Sequence, residues 1–200
     1  MEKETIRAAL KEAIYQRRSS RAYTAQPVPD EMVEEILDAG RHTPSANNKQ
    51  NTHFFVITNE EKRAELRAAV TGVLAGMEEK EGMPPVFLSL IKRAKQGEVD
   101  VTYGAPVLIV TANKKGSANA AADCACALQN MMLTASALGL GNVWVNQFLM
   151  LRDAPPIAEF FAGIGLEEDE ELFGSLAVGF VEKLETAPLP RTGNPVTYIK

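Results

Sequence analysis

A run of three arginines and two serines lies close to the N-terminus, at Arg17, Arg18, Ser19, Ser20 and Arg21. Guanidinium groups donate paired, charge-assisted hydrogen bonds to phosphate oxygens, and serine hydroxyls add neutral donors. The cluster therefore suits a phosphate group. It also follows a helical pattern, and basic residues at the end of a helix complement the helix dipole while they stay in water. The cluster alone leaves both interpretations open.

A polar loop with the sequence Thr-Pro-Ser-Ala-Asn-Asn-Lys-Gln follows at residues 43–50, between a predicted helix and a predicted strand. Asparagine and glutamine amides carry both donors and acceptors, so Asn48 and Gln50 can bind a ligand with polar edges. Proline, serine and asparagine are also ordinary turn formers. Without the arginine cluster, a surface turn is the better interpretation.

Three features in the C-terminal half, a glycine-containing turn, a tryptophan and an arginine, each have a structural and a functional interpretation. The Gly-Leu-Gly-Asn sequence at residues 139–142 lacks the third glycine of a dinucleotide-binding loop and follows a helix, so it predicts a tight turn. Trp144, the single tryptophan, is either a core aromatic or a neighbour of an aromatic cofactor. Arg191 by itself is typical of a solvated arginine.

The composition narrows the class of function. With 200 residues, 46% of them hydrophobic, the chain is predicted to form one globular domain over residues 1–200. A net charge of −5 gives no global basic field for nucleic acid or an anionic membrane. Three of the first four residues are charged, and this start lacks the apolar stretch of a signal peptide, which predicts a cytoplasmic protein.

The cysteines and histidines predict no metal centre. Cys124 and Cys126 would point to different faces of a helix, so they suit neither a disulfide nor a shared metal ion, and both are expected to be buried structural thiols. His42 and His53 belong to no cluster with ligand spacing.

Hydrophobic periodicity predicts helices and strands that alternate along the chain, and therefore helices packed on a central sheet. Helices are predicted over residues 6–17 and 30–40, from an Asn59 cap through Val73, over 84–95, from a Ser117 cap through Leu138, and after Pro155. Strands are predicted at 53–58, 107–110, 143–148, 175–181 and 196–199, and surface connections at 97–104 and 167–174. The long helix that ends at Leu138 is apolar nearly all round, so it is either buried or packed against its copy in a dimer.

Taken in order along almost the full chain, these pieces resemble the nitroreductase family of flavoenzymes. The matching pieces are the Arg-Arg-Ser-Ser-Arg cluster, the loop at residues 44–50, Ala105-Pro106 before an apolar strand, the long alanine-rich helix that ends at Gly139-Leu140-Gly141, and Gly179 before a terminal Arg191. The chain departs from many relatives after Gln50, where Asn51-Thr52 stand in place of proline and a large aromatic residue.

The resemblance implies an α+β, three-layer fold with a central, mixed, mostly antiparallel sheet, and an intertwined homodimer with FMN sites at the subunit interface. By the same resemblance, Arg17, Ser19 and Arg191 would hold the FMN phosphate, with Arg18 in the same cluster, and Arg21 would sit near the pyrimidine end of the flavin. Loop residues would reach a flavin bound mainly to the other subunit; these are Pro44, Ser45, Ala46, Asn48 and Gln50. Trp144, Val145 and Asn146 would lie beside the ring.

The resemblance further implies that NADH or NADPH reduces the bound FMN and that a small acceptor, such as a nitroaromatic or a quinone, then takes the electrons. No acid–base residue is expected to be essential, because the cofactor carries the chemistry. Two alternatives remain open: a non-catalytic FMN-binding dimer that acts as a carrier or sensor, and a same-fold flavoenzyme that performs dehalogenation or flavin fragmentation. Residues 72–100 are expected to set substrate choice.

Overall fold

A computed structural model of the chain describes residues 3–97 and 99–200, and its centre is an antiparallel sheet. The strands are β1 (His53–Ile57), β2 (Val107–Lys114), β3 (Gly141–Val145) and β4 (Glu170–Gly179). They lie in the order β1-β2-β4-β3, and each neighbouring pair is antiparallel. Met1 and Glu2 of the charged N-terminal stretch, and Glu98 within the predicted connection 97–104, lie outside the described residues.

Six of the seven helices that the structure describes begin and end close to the predicted bounds, and the short helix after β3 was not predicted. The helices are α1 (Lys3–Gln16), α2 (Asp30–Arg41), α3 (Glu60–Ala75), α4 (Pro85–Lys95), α5 (Ala120–Ala137), α6 (Gln147–Leu151) and α7 (Pro155–Gly163), with a 3₁₀ turn at Ala46–Asn48. Asn59 caps α3 as predicted, because its Oδ1 accepts a hydrogen bond from the Lys62 backbone N–H at 2.9 Å. No helix in the described residues has the length and apolar character of a membrane span.

The continuous apolar run of β2 requires helices on both faces of the sheet. Val107 and Ile109 belong to a hydrophobic cluster with α2 and α5, whereas Leu108 and Val110 belong to a second cluster with α3, α4 and α7. Successive side chains of a strand point to opposite faces, so both faces of β2 must be covered. The predicted α+β fold with helices on both faces of a mostly antiparallel sheet is therefore confirmed.

Three predicted boundaries are wrong, for local reasons. The strand predicted at 143–148 ends at Val145, because the chain turns there into α6. The connection predicted at 167–174 is largely strand, because β4 begins at Glu170, opposite Lys114 of β2. The predicted Ser117 cap is also wrong: a turn in which Ala120 N–H donates to the Ser117 carbonyl precedes α5, and no side chain caps the helix.

The strand predicted at residues 196–199 is not formed. Val196, Tyr198 and Ile199 are 69%, 79% and 97% exposed, and the segment pairs with none of the described strands. The β-forming residue types are present, but a strand requires a neighbour to satisfy its backbone hydrogen bonds. The prediction failed because residue type alone cannot supply that neighbour.

Two helices present apolar or small side chains to solvent. No residue of α1 is buried, and its stripe of Ile6, Leu10 and Ile14 is 49%, 56% and 47% exposed. On α5, Cys124 is buried in the core, whereas Cys126 on another face is exposed together with Ala122. The prediction that both thiols are buried is therefore wrong for Cys126.

Candidate functional site

The arginine-serine cluster lies against an edge of the sheet. After α1 ends at Gln16, Ser19 forms a parallel bridge with Asn142 of β3, and the Ser20 N–H donates to the Asn142 carbonyl at 2.9 Å. Further along, the Thr24 N–H donates to the Phe180 carbonyl at 2.8 Å. Backbone hydrogen bonds thus hold the segment from Ser19 to Thr24 beside β3 and the end of β4.

Arg17 carries the clearest electrostatic signature of this region. Burial lowers the pKa of its guanidinium, and the positive charges of Arg191 and Arg18 lower it further. Its Nη1 atom is buried and has no hydrogen-bond partner among residues 3–97 and 99–200. Burying a charge is costly unless a group of opposite charge accompanies it. This is the arrangement of an anion-binding site.

The cluster and the C-terminal segment come together although they are far apart in sequence. The Arg18 Nη1 donates to the Ala187 carbonyl at 2.6 Å, and Arg191 is close enough for its charge to act on Arg17. Within the described part of the chain, none of Arg17, Arg18, Arg21 and Arg191 forms an ion pair with a carboxylate. The chain as a whole carries a net charge of −5, so this positive region is strictly local.

Tyr23, which the sequence interpretation missed, fixes the cluster to the sheet. Its hydroxyl lies 2.9 Å from the Ser20 carbonyl and 3.2 Å from the Ala177 carbonyl of β4, so it can donate to either. Burial raises the pKa of this hydroxyl, Tyr103 raises it further, and Arg21 opposes both effects. A tyrosine two residues after the last arginine of the cluster was the available signal, but nothing in the sequence placed β4 beneath it.

The polar loop at residues 44–50 has a constrained backbone. Asn47, Asn48 and Gln50 have φ values of 53°, 54° and 53°, in the left-handed region that residues other than glycine seldom adopt. The Ser45 Oγ accepts a hydrogen bond from the Gln50 N–H at 2.9 Å, and Asp123 of α5 accepts one from the Ala46 N–H at 3.4 Å. Strained backbone of this kind clusters at ligand sites.

Within one chain, the loop and the arginine cluster lie at different ends of α5. The loop lines a cavity of about 260 Å³ that also contains Asp123 of the first turn of α5. Arg17 and Arg18 line another cavity, of about 310 Å³, with Ser136 and Ala137 of the last turn. Asp123 and Ser136 are 13 positions apart, which corresponds to about 20 Å along a helix. A single chain therefore does not bring its predicted loop residues and phosphate residues together.

The three residues predicted beside the flavin ring have different surroundings. Trp144 is half-buried on the α5 side of the sheet, where its ring lies close to Gly174, and its indole N–H donates to the Asn146 Oδ1 at 3.4 Å. Val145 is 1% exposed and belongs to the opposite core cluster, so its side chain cannot line a cleft. Its carbonyl accepts a hydrogen bond from Ser175 Oγ at 2.7 Å. Asn146 is exposed just before α6.

Other reactive side chains have no evident role in the site. Burial raises the pKa of the Cys124 thiol to about 11, which keeps it protonated and unreactive. His53 is within 2.9 Å of Glu170, which itself is buried at the start of β4. Among residues 3–97 and 99–200, histidine, cysteine, aspartate and glutamate side chains form no group of three that could hold a metal ion.

An antiparallel sheet with helices on both faces and an uncompensated arginine cluster at its edge defines an α+β protein with a candidate anion site. A family model described as Nitroreductase family matches residues 14–180. The chain belongs to the nitroreductase family. This confirms the family resemblance and the prediction of an oxidoreductase.

Individual relatives have related folds and activities. A nitroreductase from Bacteroides fragilis NCTC 9343, whose crystal structure contains bound FMN, has a TM-score of 0.82 and 30% identity, and the match covers 96% of this chain and 98% of that one. The nitrobenzene nitroreductase of Ectopseudomonas oleovorans is 27% identical over 205 residues, which covers 84% of this chain and 85% of that protein. The FMN reductase (NAD(P)H) of Bacillus subtilis strain 168 is 28% identical over 136 residues, which covers 63% of this chain and 49% of that protein.

Proposed function

We propose that this chain is an FMN-dependent oxidoreductase in which Arg17, Arg191 and Ser19 hold the phosphate of the cofactor. The observation that carries the proposal is the buried, unpartnered Nη1 of Arg17, beside the second positive charge of Arg191. A phosphate supplies the negative charge and the acceptor oxygens that these donors require. FMN is the cofactor, in agreement with the sequence prediction, and the FMN-bound relative supports this.

When bound, FMN accepts a hydride from NADH or NADPH and passes electrons to a second substrate. The protein orients the cofactor and supplies its electrostatic environment. Arg21, an exposed arginine without a carboxylate partner in the described residues, lies at the pyrimidine end of the flavin and favours negative charge there. A small nitroaromatic compound is the leading acceptor, because a relative that is similar over most of its length is a nitrobenzene nitroreductase.

The flavin site is shared between two copies of the chain. The loop at residues 44–50 lies near the N-terminal end of α5 and the arginine cluster near its C-terminal end, about 20 Å apart. If two α5 helices pack antiparallel across a two-fold axis, the loop of one copy meets the arginine cluster of the other. The exposed stripe of Ala122, Cys126 and Gln129 on α5, and the exposed apolar stripe of α1, support such an interface.

The first test is the absorption spectrum of purified protein after supplementation with FMN. We expect stoichiometric uptake of flavin, quenching of the single Trp144 fluorescence, and bleaching of the flavin band on anaerobic addition of NADH or NADPH. Re-oxidation by a nitroaromatic should follow. Protein that takes up no flavin would contradict the proposal, whereas flavin uptake without bleaching would favour a non-catalytic flavin carrier. Re-oxidation by a halogenated acceptor with release of halide, or cleavage of the flavin itself, would identify a different reaction on the same fold.

The shared site predicts that Ala122→Glu separates the two copies. A carboxylate on the exposed stripe of α5 would be buried without a partner at the interface, which costs several kcal/mol. Sedimentation should show a mass that falls from a dimer to the 21.7 kDa of one chain, and FMN affinity should fall with it. The matched control is Ala162→Glu on the exposed face of α7, which should change neither. A variant that remains dimeric, or a monomer that binds FMN as tightly as the parent, would refute the shared site.

A further inference from the structure

Tyr103, which lies outside the arginine cluster, is in a position to orient one of its arginines, Arg21. Tyr103 has a φ of 59°, in the left-handed region, and it is neither glycine nor asparagine. For a bulky side chain this conformation costs about 1–2 kcal/mol. A glycine would adopt the same backbone without strain. The presence of a tyrosine at this position therefore indicates a role for its aromatic ring.

A network of hydrogen bonds holds Tyr103 in this conformation. The Asp100 Oδ1 accepts hydrogen bonds from the Thr102 N–H at 2.8 Å and from its hydroxyl at 2.6 Å, and the Asp100 Oδ2 accepts one from the Gly104 N–H at 2.9 Å. The buried guanidinium of Arg63 donates to the Ala105 carbonyl, which fixes the turn to α3. The turn from Asp100 to Ala105 is thus rigid on both sides of Tyr103.

The ring that this turn presents lies beneath Arg21. The guanidinium carbon of Arg21 is 6.0 Å from the centroid of the Tyr103 ring, within the range of a cation–π interaction. Tyr103 is partly buried against the core, whereas Arg21 is exposed and has no carboxylate partner in the described part of the chain. Arginine has several rotatable bonds, so an exposed Arg21 without such a contact would sample many positions.

We infer that Tyr103 is a positioning residue, which holds the Arg21 guanidinium at the pyrimidine end of FMN and so favours the reduced, anionic cofactor over the oxidised one. The inference rests on the proposed function, because it requires FMN beside Arg21. It assigns to the turn after α4 an electrostatic role in addition to its structural one. A residue that only packed against the core would affect both redox states of the cofactor equally.

The test compares two substitutions at Tyr103. Tyr103→Asn removes the ring but tolerates the left-handed backbone, whereas Tyr103→Phe keeps the ring. Affinities for oxidised and reduced FMN are measured by anaerobic titration, with Trp144 fluorescence and the melting temperature as independent readouts. We expect Tyr103→Asn to weaken binding of reduced FMN about threefold to tenfold more than binding of oxidised FMN. Tyr103→Phe should keep the parent ratio.

A double-mutant cycle shows whether Tyr103 acts through Arg21. Arg21→Ala should change the ratio of the two affinities at least as much as Tyr103→Asn does, and Tyr103→Asn should add nothing when Arg21 is already alanine. An unchanged ratio in Tyr103→Asn, or an equal effect with and without Arg21, would overturn the inference while leaving FMN binding intact. If Arg21→Ala leaves the ratio unchanged, Arg21 does not lie beside the flavin. Absence of FMN binding in the parent protein would instead refute the proposed function.

Discussion

Replacing Arg17 and Arg191 together by alanine is expected to weaken FMN binding by about two to three orders of magnitude. Hydrogen bonds to charged groups contribute about 1.5–3 kcal/mol each, and about 1.4 kcal/mol corresponds to a tenfold change in affinity. Arg17 is the half-buried member of the pair, with its Nη1 atom buried, and Arg191 is the member whose charge reaches it from the C-terminal segment. Each single variant should lose less than the double variant. Titration of apoprotein with FMN, followed through flavin or Trp144 fluorescence, measures the change.

Riboflavin distinguishes loss of the phosphate contact from loss of the fold. It has the ring and ribityl chain of FMN but no phosphate, so the double variant should bind it as the parent protein does. The parent should prefer FMN to riboflavin by the same factor that the variant loses. Arg67→Ala, which removes an arginine that pairs with Glu60 on α3, is the matched control and should leave both affinities unchanged. Equal losses for FMN and riboflavin would contradict the assignment of these arginines to the phosphate.

The same pair predicts how the protein without flavin responds to inorganic anions. Burial and the positive charge of Arg191 lower the pKa of the Arg17 guanidinium, so the charged Arg17 destabilises the folded chain, and an anion that binds only the folded state relieves this. Sulfate or phosphate should therefore raise the melting temperature of the parent more than chloride does at equal ionic strength. The double variant should keep only the general stabilisation that sulfate and phosphate give to folded proteins, so its melting temperature should rise less than that of the parent.

The elements with a clear internal signal were predictable from the sequence. The apolar run of β2 and the Asn59 cap of α3 are local patterns, and the structure reproduces both. The segment 196–199 has the same kind of local signal but no described strand beside it. The extension of β4 back to Glu170 depends on its pairing with β2, which no property of residues 167–174 reveals. Local propensity predicts an element, whereas long-range pairing sets its length and decides whether it forms.

The candidate site was likewise predictable from the sequence only in part. Residue types alone made the arginine cluster and the polar loop candidates for an anionic, polar ligand but left a solvated helix end and a surface turn open, and the family resemblance favoured the ligand site and added Arg191. That Arg191 lies close to Arg17 follows only from the path of the C-terminal segment, which Arg18 anchors through the Ala187 carbonyl. Tyr23 and Tyr103 were missed because their roles depend on carbonyls and a guanidinium that the fold brings to them. The spacing of residues in the sequence does not predict such contacts.

Gly179→Ala is the second substitution with a large expected effect. Tyr23 can pack beside the end of β4 and support the cluster only because Gly179 has no side chain. A Cβ atom at this position would lie 2.5 Å from the Pro106 Cδ and 3.0 Å from the Tyr23 Cδ1. The proline ring is rigid, and the Tyr23 hydroxyl donates to the carbonyl of Ser20 or of Ala177, so neither side can yield without a shift of backbone. We expect a loss of about 2–3 kcal/mol in the free energy of unfolding, measured by urea denaturation.

Gly72→Ala on α3 is the matched control. A Cβ at Gly72 meets nothing within 4 Å, and alanine in a helix interior is favoured over glycine by about 0.5–1 kcal/mol, so this variant should be more stable than the parent. Because Tyr23 holds the Ser20 carbonyl, Gly179→Ala should also weaken FMN binding at temperatures where the variant remains folded. Parent-like stability would show that Pro106 moves freely. A stability loss with unchanged FMN affinity would show instead that the arginine cluster keeps its place without Tyr23.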